Sequence, residues 1–223
     1  MTFSIAGFCA DTGMLGCAIS SSSICVASRC AFVKSATGVA LTQNITNPNL
    51  GPLALSLLAE GQSLSRVMAS LAVADSDVQW RQLGVLNNRG EGATFSGAQA
   101  LGLHATAEGK NCIALGNLLA NTGVPAAMVN HFENSTGHLA ERLLQALEAG
   151  LAAGGELGPV HSAGLLLCAE PEWPVVDLRV DWHDEPIHQL RALWQNYQPQ
   201  MAAYITRALD PANAESYGVP GDE

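Results

Sequence analysis

Cationic side chains are scarce in this chain of 223 residues: ten Lys and Arg, only two of them Lys, stand against twenty Asp and Glu, giving a formal charge of -10. An acidic protein of this kind repels phosphate backbones and anionic lipid surfaces, so nucleic-acid and membrane-surface partners are disfavoured. The opening lacks the basic and apolar regions of a secretory signal, and no stretch approaches about 18 uninterrupted apolar residues, which leaves no expected membrane span. There is no C-x-x-C pair among the six cysteines (Cys9, Cys17, Cys25, Cys30, Cys112, Cys168), which are expected as reduced thiols in a cytoplasmic protein. Walker loops, a G-x-G-x-x-G after a strand and a G-x-S-x-G elbow are all missing, so the familiar nucleotide cofactors and the α/β-hydrolase mechanism have no anchor. His183 and His188 bracket Asp184 and Glu185, and His131 and His138 flank a helix junction; neither spacing puts two ligands one helical turn apart, so no metal is expected.

What the chain does have is apolar bulk, 48% of its residues, enough for one sizeable core. Thr2 to Cys9 and Met14 to Ser20 flank the turn Ala10-Asp11-Thr12-Gly13 and predict a hairpin. Ser20 to Cys30 is small, polar and poor in helix formers, a linker or a loop folded over a site, and its apolar interleaving argues against a disordered linker. Ala31 to Lys34 and Gly38 to Gln43 form a second strand pair, followed by the polar loop Thr42 to Asn49. From Leu53 the apolar period lengthens to three and four, giving two helices divided at Gly61. Trp80 to Leu86 and Ala93 to Ser96 are a hairpin, with further strands at Leu103 to Ala107 and Asn111 to Leu115. Helices follow at about Pro125 to Glu133 and His138 to Ala152, then strands at Ser162 to Cys168 and Val175 to Val180, and a last helix from about Pro186 to Leu209. Residues 1–209 count as one domain and 210–223 as an acidic, frayed tail. Strand groups joined by hairpins and separated by helix pairs imply an α+β arrangement of antiparallel sheets with helices outside.

Thr2 is the residue with the most chemical promise. If Met1 is removed, as expected before so small a residue, Thr2 carries a hydroxyl and a free α-amine together. The amine, with a pKa of about 7.7 to 8.0, is a base able to take the hydroxyl proton. The ordinary alternative is that Thr2 is merely the second residue of a strand.

Met1-Thr2-Phe3-Ser4-Ile5, Gly38-Val39-Ala40-Leu41-Thr42-Gln43, Asn47-Pro48-Asn49-Leu50-Gly51-Pro52 and Gly116-Asn117-Leu118-Leu119 together resemble the family called domain of unknown function 1028. The helix Leu139 to Gly150 with Gly154-Gly155, Ser162-Ala163 and Val176 to Asp181 fit the same family, so the resemblance runs to about residue 195. It implies the N-terminal-nucleophile (Ntn) hydrolase fold, a four-layer αββα sandwich. Before Ser162 the chain departs from the pattern: relatives tend to carry a charged Asp/Arg-Gly-type segment, while Glu156-Leu157-Gly158-Pro159-Val160-His161 stands here, so a pocket lined by it would take a different ligand.

In proteasome-type members of that fold a lysine beside the N-terminal threonine tunes its amine and hydroxyl. Lys34, 32 positions after Thr2, has a similar spacing, and Arg29 in the preceding loop is the other candidate. Their ordinary role is a solvated strand-end or loop cation. An oxyanion and a substrate need polar partners; the candidates are the Ser20 to Ser23 backbone with Ser21 in it, Arg29, Asn44 and Asn117, against turn formation for the asparagines and a helix cap for Asn117. The expected function is therefore Ntn-type hydrolysis of a small amide or short peptide by Thr2 tuned by Lys34, without cofactor. The alternative is a non-catalytic small-molecule-binding or scaffold protein on the same fold. Ala- and Leu-rich outer helices suggest a homo-oligomer.

Overall fold

In a computed structural model, which describes residues 1–221, the period-two apolar runs pair into two antiparallel sheets, and their neighbours in sequence become the helices that cover them. The strands and helices run β1 (Thr2–Phe8), β2 (Leu15–Ser21), α1 (Val26–Cys30), β3 (Ala31–Lys34), β4 (Gly38–Asn44), α2 (Leu50–Ala59), α3 (Leu64–Ala74), β5 (Arg81–Asn87), β6 (Gly92–Ser96), β7 (Ala105–Gly109), β8 (Cys112–Asn117), α4 (Val124–Asn134), α5 (Leu139–Ala152), β9 (Ser162–Cys168), β10 (Pro174–Val180), α6 (Pro186–Tyr197) and α7 (Met201–Leu209). One sheet has the order β10-β9-β2-β1-β8-β7 and the other β3-β4-β5-β6.

Three apolar cores fill the three spaces of a four-layer αββα sandwich. Phe3 and Ile5 of β1 join Met128, Phe132, Leu143, Leu144, Leu147 and Trp194 between the six-stranded sheet and α4, α5 and α6. Ala6, on the other face of β1, lies between the sheets with Cys17, Ile19, Leu41 and Leu115. Ala54, Leu55, Val67 and Leu71 of α2 and α3 cover the four-stranded sheet through Ala40, Leu83 and Val85. Each fully buried Leu or Phe contributes roughly 1.5–3 kcal/mol. Alternation along β1 places Thr2, Ser4 and Ala6 on the face that looks toward the second sheet. Arg191 of α6 fastens that helix to α5, bonding Glu141 at 2.6 Å and Glu148 at 2.8 Å.

Three expectations are corrected. Ser20 to Cys30 is not all loop: it ends in α1, whose first N–H, that of Val26, is captured by Ser162 Oγ of β9 at 3.1 Å. The helix read from Leu53 starts at Leu50. The last helix is two, because Pro199 lies between them in a 3-10 turn, Gln198–Gln200, and a proline has no N–H for an α-helix interior. Of the tail from 210, the described part bends back: Arg207 stacks on Tyr217 at 3.8 Å and bonds the Glu215 carbonyl. Residues 222 and 223 lie outside the described residues. Among the described residues no helix is long and apolar enough to cross a membrane.

Candidate active site

Strand register alone brings four polar side chains into a row at one end of the six-stranded sheet. Thr2 is opposite Asn117 on β8. Phe3 opposite Ser20 makes Ser21 the level neighbour of Thr2 on β2, and Ser21 is opposite Ser162 on β9. Residues opposite one another in an antiparallel ladder leave the sheet on the same face with Cβ atoms about 5 Å apart. Ser162, Ser21, Thr2 and Asn117 therefore face the second sheet together, all buried.

The loop after β2 orients two of them. Arg29 on α1 donates to Ser23 Oγ at 2.7 Å. Ser23 Oγ lies 2.8 Å from Ser21 Oγ, and since the single Ser21 proton goes to the Met1 carbonyl, Ser23 is the donor of that pair. Ser21 also accepts from the Ser23 N–H at 3.1 Å and donates to the carbonyl oxygen of Met1. Thr2 Oγ bonds the same carbonyl oxygen and stands 3.3 Å from Ser21 Oγ. The carbonyl preceding the threonine is thus gripped by two hydroxyls.

On the other side of Thr2 a buried amide network joins the sheets. Ser4 Oγ donates to Gln43 Oε1 at 2.7 Å, and Gln43 Nε2 donates to Gln82 Oε1 at 2.8 Å. Gln82 Nε2 faces the Gly116 carbonyl at 3.0 Å, which can only accept, so Gln82 Oε1 is the atom turned to Asn117 Nδ2 at 3.1 Å. Among the described residues Asn117 Oδ1 is left buried with no hydrogen-bond partner. Such an orphan costs about 1–3 kcal/mol unless something occupies it.

Glu156 completes the cluster, and sequence reasoning passed over it as a candidate. Two glycines in left-handed backbone, Gly154 at φ +123° and Gly155 at φ +56°, reverse the chain after α5, and Glu156 then bridges Leu119, two residues past Asn117. Its carboxylate, 5% exposed, accepts the Ser22 N–H at 3.2 Å to each oxygen. Burial pushes its pKa up to about 7. Glu156 also borders a pocket of about 290 Å³ walled by Leu151, Pro159, Val160 and Ile187.

Thr2, Ser21, Asn117 and, through Ser23, Arg29 come together. Lys34 does not join them. It is exposed at the hairpin end of β3, opposite Gly38, five residues along β4 from the Gln43 that touches Ser4, or about 17 Å at strand rise. It lines a surface groove with Asp177 and Arg179 instead. Asn44 lies at the correct end of β4, but its amide is spent: Nδ2 donates to the Trp80 carbonyl and Oδ1 accepts the Leu101 N–H at 3.2 Å, and its φ of 74° marks a strand-terminating corner. Ser22 and Ser23 N–H groups, candidate oxyanion donors, are already bonded to Glu156 and Ser21. All six cysteines are free thiols, and burial raises the pKa of Cys17, Cys30, Cys112 and Cys168. Among the described residues no three His, Cys, Asp or Glu side chains cluster as metal ligands.

The fold is similar to that of a crystal structure of protein SPO2555 from Silicibacter pomeroyi, itself a DUF1028 protein, with 29% identity, a TM-score of 0.85, and coverage of 91% of this chain and 89% of that one. Anbu, the ancestral beta-subunit from Yersinia bercovieri, matches at 12% identity with a TM-score of 0.39 over 91% of this chain and 97% of its own. No curated protein matches. The family model described as a family of unknown function, DUF1028, matches residues 2–190, and the chain belongs to that family.

Proposed function

We propose that this protein is an Ntn-type amidohydrolase in which Thr2, once the peptide bond before it is cut, cleaves a small amide or peptide-like bond. The observation that carries the reading is the double grip on the carbonyl before Thr2, by the Thr2 and Ser21 hydroxyls inside the inter-sheet space. A carbonyl oxygen held by a preorganised donor beside a hydroxyl nucleophile is the arrangement acyl transfer requires.

In the proposed cycle the freed α-amine takes the Thr2 hydroxyl proton as Oγ attacks the substrate carbonyl. Ser21 donates to the developing oxyanion, its proton aligned by Ser23 and Arg29. The Arg29 charge acts through those two hydroxyls, in the place where Lys34 was expected. Asn117 Oδ1, a buried acceptor in register with Thr2, offers a site for an amine hydrogen of the freed Thr2. The collapsing intermediate breaks the C–N bond, and the leaving amine receives the proton. Water then hydrolyses the threonine ester.

The test begins with intact mass, to establish that the threonine is the first residue of the protein assayed, followed by a screen of small amides against wild type, Thr2→Ala and Ser21→Ala. Removal of one oxyanion donor is expected to cost about 10²-fold in kcat. Undiminished turnover in folded Thr2→Ala would sink the reading.

A further inference from the structure

The residue before Thr2 occupies the place in which the acyl half of a substrate has to sit. An acyl group on the threonine nitrogen and one on its oxygen differ only by a transfer across the two carbons that join those atoms, so the groups that surround the first outline the site for the second. The Met1 carbonyl lies on Thr2 and Ser21, and its side chain runs to Gly158, where a Cβ would stand 3.6 Å from Met1 Cε. Gly158 and the buried Glu156 both border the 290 Å³ pocket. Leu151, Val160 and Ile187 give that pocket apolar walls, Glu156, Asp184 and Glu185 give it three carboxylates beside His188, and among the described residues neither Lys nor Arg lines it.

From the seating of Met1 and the charge of this pocket we infer, resting on the Thr2 nucleophile reading, that the acyl part of the substrate is an amino acid with a free amine and an extended apolar side chain: an aminoacyl amide or the first residue of a short peptide. The carbonyl binds Ser21, the side chain lies over Gly158 between the apolar walls, and the ammonium is met by the carboxylates. Acidic acyl groups are turned away by the Asp184 and Glu185 charges at the pocket. The segment Glu156 to His161, expected from the sequence to depart from the family pattern, is then its specificity segment. During turnover the Thr2 Oγ–acyl bond forms as the amide C–N bond breaks. The departing amine carries off the hydroxyl proton, and one water converts the ester into the free amino acid and regenerates Thr2.

Binding and catalysis separate this inference from the reading beneath it. Calorimetric titration of folded Thr2→Ala protein lacking Met1 uses L-methioninamide, N-acetyl-L-methioninamide and glycinamide as probes. The expected result is at least tenfold tighter binding of methioninamide than of the other two, with the advantage over the acetylated probe lost in a Glu156→Gln background. A second variant, Gly158→Leu, fills the space at Met1 Cε and is expected to abolish the advantage over glycinamide without touching the preference for a free amine. Equal or tighter binding of the acetylated probe, or no binding of any, overturns the substrate inference. Wild-type turnover of methionine para-nitroanilide that Thr2→Ala retains overturns the nucleophile reading instead, and Thr2-dependent turnover favouring the acetylated substrate overturns the substrate class alone.

Discussion

Two carboxylates, Glu156 and Asp75, are buried almost equally, 5% and 6% exposed, yet the fold pushes them in opposite directions. Asp75, just past α3, accepts from Arg81 Nε at 2.9 Å, Asn47 Nδ2 at 3.0 Å and the Asp77 N–H at 3.0 Å, and the Arg81 hydrogen bond leads in lowering its pKa to about 2. Glu156 has no guanidinium beside it; desolvation raises it to about 7, only partly offset by the charge of the N-terminal amine and the hydrogen bonds from Ser22. The first is a finished staple tying α3, the 45–47 loop and β5 into one corner. The second keeps a raised pKa beside Thr2, the nucleophile of the proposed function. Burial alone does not tell structure from function; what distinguishes them is whether the charge has been answered.

The sharpest break between the two regions is expected from Thr2→Ala, which removes one methyl and one hydroxyl from the site. Turnover of a Thr2-dependent amide should fall by at least about 10³-fold, the scale of a lost nucleophile, while thermal unfolding stays within a few degrees of wild type. The corner predicts the reverse. Arg81→Met leaves Asp75 buried without its cation, at a cost of about 3–5 kcal/mol, or roughly 6–20 °C in Tm for a domain of this size. Activity per folded molecule at 25 °C should not change. Loss of activity in Arg81→Met without loss of stability would erase the distinction.

The next effect is smaller and depends on pH. A carboxyl whose folded pKa is raised stays protonated while the unfolded chain ionises, so Glu156 costs nothing below its ordinary 4.5, and its cost grows until the folded group ionises near 7. Above that the cost levels off at about 3 kcal/mol. Glu156→Gln, which keeps an oxygen for the Ser22 N–H, should therefore match wild type near pH 4 and exceed it in stability at pH 8. Denaturant midpoints of both proteins across that range check this, and parallel curves would contradict it. Asp75 has the opposite sign: its stabilisation of roughly 2 kcal/mol is present above 3.8 and is lost as pH falls through about 2.

Sequence patterns reach the first region only in part, for physical reasons. Thr2, Ser21 and Asn117 were accessible because period-two alternation and hairpin pairing carry strand residues into known register. The two glutamines that join the sheets, Gln43 and Gln82, left a faint signal as amides ending or interrupting apolar strands. Glu156 left almost none. It arrives through a chain reversal at Gly154 and Gly155, and no local periodicity reports which neighbour a reversed segment will meet. The helix hidden in Ser20 to Cys30 forms through bonds from Ser162, more than 130 residues away in the chain, so local propensity could not display it.

That hidden helix also separates the two cations in space. Counting 32 residues from Thr2 to Lys34 presumes that the intervening chain is spent as it is in proteasome-type chains. Here α1 takes up five residues, and β3 then carries Lys34 away to its hairpin end. Arg29, on α1, faces back toward the site, bonding the Ile24 and Cys25 carbonyls and Ser23. Lys34→Ala is therefore expected to have the smallest effect, under about 0.5 kcal/mol in stability and within twofold in kcat/KM. Arg29→Gln, by loosening the Ser23–Ser21 alignment, should lower kcat more than it changes KM. A hundredfold loss in Lys34→Ala beside a silent Arg29→Gln would restore the residue chosen by spacing and would show that distance along the chain, rather than placement on α1, selects the cation that tunes Thr2.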